Sequence, residues 1–309
     1  MTTRKPKAAS DPAACSPQPA PFLKWAGGKT KLLPEILQRL PNFMQTYYEP
    51  FLGGGAVFFA LARQGRFDRA VLSDSNPNLI DCYRTLRDDV DTVIPLLKEH
   101  QHKHCRGHFE EVRALDPHHL SGAARAARFI YLNRVCYNGL YRVNRAGQFN
   151  TPFGSYKNPT ICDSELLLAV SVALDRRRVT LETTDFDEQI RGRAPGKKDG
   201  VYFDPPYIPV SKSGNFVSFT KESFKEVDQQ RLAALFHQLV QQEVSVVLSN
   251  SSTPMAYELY ETSSTHKTDT VYAPRRINSK AEKRGDVAEI LAHNAWLQVA
   301  PEPRRKKKE

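Results

Sequence analysis

The chain has 309 residues, enough to bury a full core as one large domain or two unequal lobes. Its hydrophobic share is an ordinary 40%, no apolar run approaches the roughly 18 residues that span a bilayer, and the N-terminus lacks a signal-type apolar stretch, so an integral membrane protein is excluded and a cytoplasmic one expected. The net charge of +10 points to a polyanionic partner, and five scattered cysteines with no C-x-x-C pair argue against a disulfide framework.

Residues 1 to 20 are rich in Pro, Ala and Lys without periodicity and are expected to be disordered. Leu32, Leu33, Ile36, Leu37 and Leu40 then recur at helical spacing, followed by a short strand over Thr46 to Glu49. Gly53-Gly54-Gly55 makes a tight turn into an apolar helix from Ala56 to about Arg63. A second strand, Ala70 to Ser73, ends at Asp74, and Asn76-Pro77 opens the next helix with a cap residue and a first-turn proline. Strand, glycine turn, helix, strand and acid, in that order, form the first half of a nucleotide-binding α/β sheet.

The middle of the chain breaks that rhythm. His100, His102, His104, Cys105 and His108 fit no zinc spacing and read equally well as a polar helix face or loop, so no metal is expected. Ala123 to Val135 reads as a helix, with Ala127, Ile130, Tyr131 and Arg134 on one side. The turn pairs Asn138-Gly139 and Ala146-Gly147 flank Leu140 to Val143, which predicts a β-hairpin. From Pro117 to Cys162 the chain holds Arg125, Arg128, Arg134, Arg142, Arg145 and Lys157 and not one Asp or Glu. A surface lying along phosphates excludes carboxylates; chance composition of a solvated face is the alternative. The eight basic and three acidic side chains of residues 1 to 20 and 300 to 309 fall in expected tails and carry less weight.

Later strands are expected over Val179 to Glu182, Gly200 to Phe203 and Val244 to Leu248. Ser223-x-x-Glu226 resembles a capping box opening a helix from Val227 to Gln241. Thr268 to Tyr272 and Asp286 to Leu291 alternate and should complete the sheet as antiparallel strands.

Asp204-Pro205-Pro206-Tyr207, emerging from the apolar run Val201-Tyr202-Phe203, is the most informative motif. Two prolines remove two N–H donors and fix φ twice, so they end the strand in a rigid extended corner with carbonyls free to accept. A planar exocyclic amine such as N6 of adenine has two N–H donors and a lone pair delocalised into its ring. The Asp204 carboxylate and the Pro205 carbonyl could take one N–H each, drawing the nitrogen toward sp³ and localising that pair. Tyr207 could stack on a base turned out of its duplex, offsetting an unstacking cost of a few kcal/mol. A Pro-Pro turn capping a buried strand, with Asp204 as turn former, is the bland alternative.

Two phosphate motifs fail on inspection. Gly28-Lys29-Thr30 resembles the end of a P-loop, but Leu23 stands where its first glycine belongs. The Gly53 to Gly55 turn has Phe58 at the third glycine position of a dinucleotide fingerprint. Asp74, about twenty residues past the turn, is placed to bind ribose hydroxyls. Asp185-Phe186, after the strand at Val179, could take an adenine by its amino group and ring face, although a core Phe186 explains the sequence as well.

Taken together, Phe22 to Lys29, Glu49 to Gly55, Tyr137 to Pro159 and Asp204 to Tyr207 resemble the Dam-like, D12-class DNA adenine N6-methyltransferases. The resemblance covers roughly Pro21 to Asn294. It implies an α/β fold with a doubly wound mixed sheet of the S-adenosylmethionine-dependent methyltransferase type and an inserted helical and β-hairpin DNA-recognition domain. The implied organisation is a tail over 1–20, catalytic parts over 21–90 and 166–298, a recognition domain over 91–165 and a basic tail over 299–309. It further implies S-adenosyl-L-methionine as cofactor and methylation of adenine N6. Trp25 and Lys29 would border the cofactor, Glu49 and the backbone of Pro50, Phe51, Gly53 and Gly55 would surround its methionine part, Asp74 its ribose, and Asp185 and Phe186 its adenine. Asp204, with Pro205, Pro206 and Tyr207, would face both the methyl donor and the target amine.

The same resemblance places sequence recognition in the hairpin. Arg142 can fork onto guanine O6 and N7, Leu140 and Pro152 suit the thymine methyl, Lys24 and Tyr156 would meet the first base pair, and Tyr137 with Asn138 could fill the gap left by a flipped base. Arg134, Asn144 and Asn150 complete the implied DNA contacts. GATC is the expected site and GATATC the second choice; other amine substrates of such turns, or a non-catalytic DNA-binding relative, are the rival readings. Ser155 stands where the family often has a basic residue, which puts one phosphate contact in doubt. Duplex DNA in the nucleoid is the implied partner of a monomeric enzyme, with a cognate restriction endonuclease where the enzyme serves a restriction system.

Overall fold

The computed structural model describes residues 17–210, 224–274 and 286–295. Most of the two expected tails, and Ser223 of the expected capping box, lie outside the described residues.

The N-terminal third runs α1 (Leu33–Leu37), β1 (Met44–Glu49), α2 (Ala56–Arg63), β2 (Phe67–Asp74) and α3 (Pro77–His102). Asn76 caps α3 by accepting the N–H groups of Asn78 and Leu79, with Pro77 in the first turn where no N–H is missed. Non-helical backbone at Asp89 divides α3 into two arms. Then follow α4 (Arg106–Ala114), α5 (Gly122–Val135), α6 (Ser164–Ala173), β3 (Val179–Thr183), α7 (Phe186–Arg193) and β4 (Gly200–Phe203). The chain ends with α8 (Glu226–Gln241), β5 (Ser245–Ser251), α9 (Pro254–Leu259), β6 (Lys267–Pro274) and β7 (Asp286–His293). The box that opens α8 uses Asp228, whose carboxylate accepts the Lys225 N–H at 2.9 Å.

The seven strands form one sheet in the order β3-β2-β1-β4-β5-β7-β6. β3, β2, β1, β4 and β5 are mutually parallel, and β7 lies antiparallel to both β5 and β6. Only β7 therefore opposes the body of the sheet. β6 returns to the common direction, and because both of the last ladders, β5 with β7 and β7 with β6, are antiparallel, the expected antiparallel finish of the sheet is present. Strand alternation builds two cores. Tyr47, Leu72, Tyr202, Val247 and Leu291 face the layer of α1, α2, α3, α5 and α6, whereas Tyr48, Val71, Val201, Phe203, Val246, Leu248 and Ile290 face α7, α8 and α9.

The expected hairpin is present in reduced form. Single antiparallel bridges join Val143 to Phe149 and Cys136 to Phe153. Asn138 and Gly139 both have positive φ, 54° and 65°, the geometry of the tight turn that an Asn-Gly pair favours. The basic stretch is less a surface than the sequence implied. Arg128 is buried and donates to the Val112 and Arg113 carbonyls, so two of its hydrogen bonds hold α4 against α5. Among the described residues no helix is long and apolar enough to cross a membrane.

Candidate active site

Strand order reverses between β1 and β4, and open α/β sheets bind ligands at such a switch point, beyond the carboxyl ends of the strands. β1 ends at Glu49 and runs into Pro50 to Gly55; β4 ends at Phe203 and runs into Asp204 to Tyr207. Two motifs distant in the chain are thus neighbours because β1 and β4 pair, Tyr48 opposite Val201.

The glycine turn is fixed from three sides. Gly53 and Gly55 have φ of 48° and 67°. The Gly53 N–H donates to Asp74 Oδ2 at 3.0 Å, and the Gly53 carbonyl accepts the Tyr83 hydroxyl at 3.1 Å. A Cβ on Gly53 would lie 2.8 Å from the Trp25 ring, so the close approach of that indole requires glycine here. Trp25 in turn stacks on Phe129 and on Tyr141, with ring centroids 6.3 and 5.9 Å away. Tyr141 belongs to the expected hairpin, so an aromatic run joins the hairpin to the glycine turn.

Asp74 Oδ1 accepts the Asn76 N–H at 3.0 Å, and burial pushes the carboxyl up to about 6. Each of its oxygens retains an acceptor site for a ligand hydroxyl. Glu49 is buried at 2% exposure and accepts the Tyr47 hydroxyl at 2.8 Å. Burial, assisted by the Asp204 charge, pushes it up to about 8. Among the described residues it has no cationic partner. A ligand ammonium group would complete a carboxylate so placed, and this donor set fits the cofactor implied by sequence.

At the proline corner, Lys29 Nζ lies 2.8 Å from Asp204 Oδ1, donates to the Gly27 carbonyl at 2.7 Å and stands 4.6 Å from the Tyr207 ring centroid. Ser249 Oγ donates to the same Asp204 oxygen at 3.2 Å. Burial raises the Asp204 carboxyl while Lys29 and Ser249 oppose that rise. Both partners use Oδ1, which leaves Oδ2 as the available acceptor. The Tyr207 hydroxyl donates to Glu289 in the middle of β7 at 2.6 Å, which ties the ring to that strand. The Pro206 carbonyl accepts from Gln229, whereas the Pro205 carbonyl has no hydrogen bond among the described residues. The expectation that the corner's carbonyls are free therefore narrows to Pro205.

Phe186 takes the core place that sequence also allowed, and Asp185 takes a capping place that the sequence reading did not give it. Asp185 caps α7 through the Asp187 N–H and pairs with Arg231 at 2.8 Å. Phe186 is buried and stacks on Phe51 at 5.4 Å. These two rings tie the loop after β1 to the start of α7.

Of the residues expected to contact DNA, Arg142, Asn144, Asn150, Pro152, Tyr137 and Asn138 are exposed, and Leu140 and Tyr156 are half-buried. Lys24 lies 3.5 Å over the Tyr156 ring and donates to the Arg134 carbonyl at 2.8 Å, so these two expected DNA contacts are together. Asn133, which sequence reasoning missed, is fully buried and bonds the Lys24 N–H, the Lys24 carbonyl and the Gly139 carbonyl. Arg134 donates to the Thr160 and Phe22 carbonyls, so part of its guanidinium serves the protein itself. The histidine run is not a simple solvated face: His100, His104 and His108 surround the Tyr131 ring, and His100 and His108 share a 2.9 Å hydrogen bond. Among the described residues no group of three or more His, Cys, Asp or Glu could hold a metal ion. A cavity of about 640 Å³ between α3, α4, α5 and the hairpin is lined by neither Asp74 nor Asp204 and is set apart from the switch point.

Comparison with known proteins shows the family. The model of the D12 class N6 adenine-specific DNA methyltransferase family matches residues 25–273. The Type II methyltransferase M1.LlaDCHI of Lactococcus lactis subsp. cremoris is 43% identical over 89% of this chain and 95% of its own length. The Type II methyltransferase M.MjaIII of Methanocaldococcus jannaschii is 39% identical over 89% and 98%. The DNA adenine methylase of Escherichia coli K12 is 33% identical over 88% and 94%. Sequence blocks, sheet order and match together identify the chain as a member of the D12 class of N6 adenine-specific DNA methyltransferases.

Proposed function

We propose that the enzyme uses S-adenosylmethionine to methylate the adenine of GATC in duplex DNA, on a base turned out of the helix into the proline corner. The observation that carries this reading is the pairing of two acceptors at the switch point that take no hydrogen bond among the described residues: Asp204 Oδ2, its sister oxygen already occupied by Lys29 and Ser249, and the Pro205 carbonyl. S-adenosylmethionine, when bound, supplies a methyl group on a sulfonium, whose sulfur keeps the electron pair of the broken bond. Asp204 and Pro205 accept the two N–H groups of adenine N6 and localise its lone pair for a direct in-line attack, without a covalent enzyme intermediate. Lys29 keeps Asp204 in its acceptor form, since an opposite charge at this distance favours the carboxylate. Asp204 Oδ2 is the base at hand for the proton that the methylated nitrogen gives up. Tyr207, anchored by Glu289, presents its ring to the base.

Glu49 and the Pro50 to Gly55 loop hold the methionine end of the cofactor, Asp74 the ribose, and the Asp185 to Phe186 turn borders its adenine. Residues 91–165, beginning just past the break at Asp89 in α3, form the recognition part, with Arg142 reading guanine and Leu140 and Pro152 meeting thymine. The names of the Lactococcus and Methanocaldococcus relatives support a role beside an endonuclease of the same specificity. We take the enzyme to act as a monomer on nucleoid DNA in the cytoplasm. The test is methylation of plasmid DNA in vitro, followed by digestion with a nuclease blocked by methylated GATC. Protection supports the reading; full cleavage, with protection at GATATC sites instead, moves the specificity to the longer sequence.

A further inference from the structure

The corner from Asp204 to Ile208 cannot hold itself in place. Lys29 and Ser249 hold the Asp204 side chain and Glu289 the Tyr207 hydroxyl, but the two prolines supply no N–H, so the backbone beyond Asp204 is anchored through a proline carbonyl and through Ile208. Three side chains outside every recognised motif do this. Gln229 on α8 and Asn250 on β5 are fully buried, where an amide is costly unless both its ends are bonded. Here they are. Gln229 Nε2 donates to the Pro206 carbonyl at 2.8 Å, and its Oε1 accepts from Asn250 Nδ2 at 3.1 Å. Asn250 Oδ1 accepts the Ile208 N–H at 3.0 Å and the Ser251 N–H at 2.8 Å. Ser251 Oγ donates to the Ile208 carbonyl at 2.6 Å.

These anchors take the Pro206 carbonyl and both polar backbone groups of Ile208, and they pass over the Pro205 carbonyl. Because the Pro206 ring fixes φ, one soft torsion, ψ of Pro206, separates the pinned carbonyl from the free one. We propose that Gln229, Asn250 and Ser251 form a positioning relay that aims the Pro205 carbonyl at the reacting amine and so sets the rate of methyl transfer without contributing to the affinity for cofactor or DNA. This rests on the reading of Asp204 and Pro205 as amine acceptors.

The experiment measures single-turnover methyl transfer, cofactor affinity and duplex affinity for Gln229→Met, Ser251→Ala and Asp204→Ala in the full-length enzyme. Gln229→Met keeps the volume and removes the amide. Misplacement of one acceptor should slow transfer about 10- to 100-fold. Both dissociation constants should stay within about twofold of wild type, a split that a general loss of folded protein would not produce. Ser251→Ala, which removes one hydroxyl, covers the case in which Gln229→Met fails to fold, and should slow the same step several-fold. Wild-type rates in both variants, or losses of rate and of both affinities in proportion, overturn the relay. If Asp204→Ala also transfers at the wild-type rate, the reading of the corner falls first; if it is inactive while the other two are unaffected, the relay alone falls.

Discussion

Glu49→Gln tests the electrostatics of the proposed cofactor end without cofactor or DNA. Glu49 is buried beside Tyr47, and its carboxyl is raised from 4.5 to about 8 by burial first and by Asp204 in addition. The folded protein therefore keeps a proton on Glu49 that the unfolded chain releases above its ordinary carboxylate range. Stability is a falling function of pH wherever the folded state binds more protons, so this group's contribution is fully present at about pH 4.5, declines through neutrality and levels off above about pH 8. The shift corresponds to a penalty on the order of 4 kcal/mol at the alkaline end. Glutamine keeps the acceptor for the Tyr47 hydroxyl and cannot ionise. In urea unfolding of the apo-enzyme at a series of pH values from 5 to 8, the variant should match the wild type at the acid end and gain on it steadily, by a few kcal/mol at the top. Asp74, raised to about 6, changes both proteins alike and cancels in the difference. A difference that stays constant with pH would refute the assignment of a protonated Glu49 without a cationic partner among the described residues.

The same carboxyl should release its proton when a cationic cofactor binds, so calorimetry near pH 7 in buffers of different ionisation enthalpy should show proton release in the wild type and a smaller release in Glu49→Gln. Gly139→Ala places a side chain at φ +65° against Lys24 and should weaken cognate DNA binding by about 1 to 3 kcal/mol while leaving cofactor affinity unchanged, as read by fluorescence titration. Arg142→Ala should relax discrimination at one base pair by about 1 to 3 kcal/mol; equal loss on every sequence would mark a phosphate contact instead. Arg128→Met should lower the melting temperature without altering the salt dependence of DNA binding, because its bonds go to Val112 and Arg113 rather than to phosphate.

Much of this site was legible in the sequence because its parts are backbone devices. Gly53 and Gly55 are needed at positive φ, Asn138-Gly139 at a tight turn and Pro205-Pro206 at a strand end, and each leaves a local mark. The strand pattern gave the parallel core, since apolar runs such as Gly200 to Phe203 are recognisable without context. Legibility ended where side chains act across the fold. The expected strand Val244 to Leu248 stops at its last apolar residue, but β5 continues through Ser249, Asn250 and Ser251, polar and yet buried because they hold the corner. Gln229 and Asn133 look like ordinary polar positions on helices until their carbonyl partners are in view. Net charge misled for Arg128 for the same reason: composition counts a guanidinium but does not reveal that it points inward.

The central claim is that Asp204 and Pro205 accept the hydrogens of the target amine. Single-turnover methyl transfer by Asp204→Asn, which preserves shape but replaces one acceptor oxygen with a donor, tests it most directly. The expected result is a fall of at least about 10²- to 10³-fold in the transfer rate with duplex affinity retained. Transfer within a few-fold of the wild-type rate would contradict it.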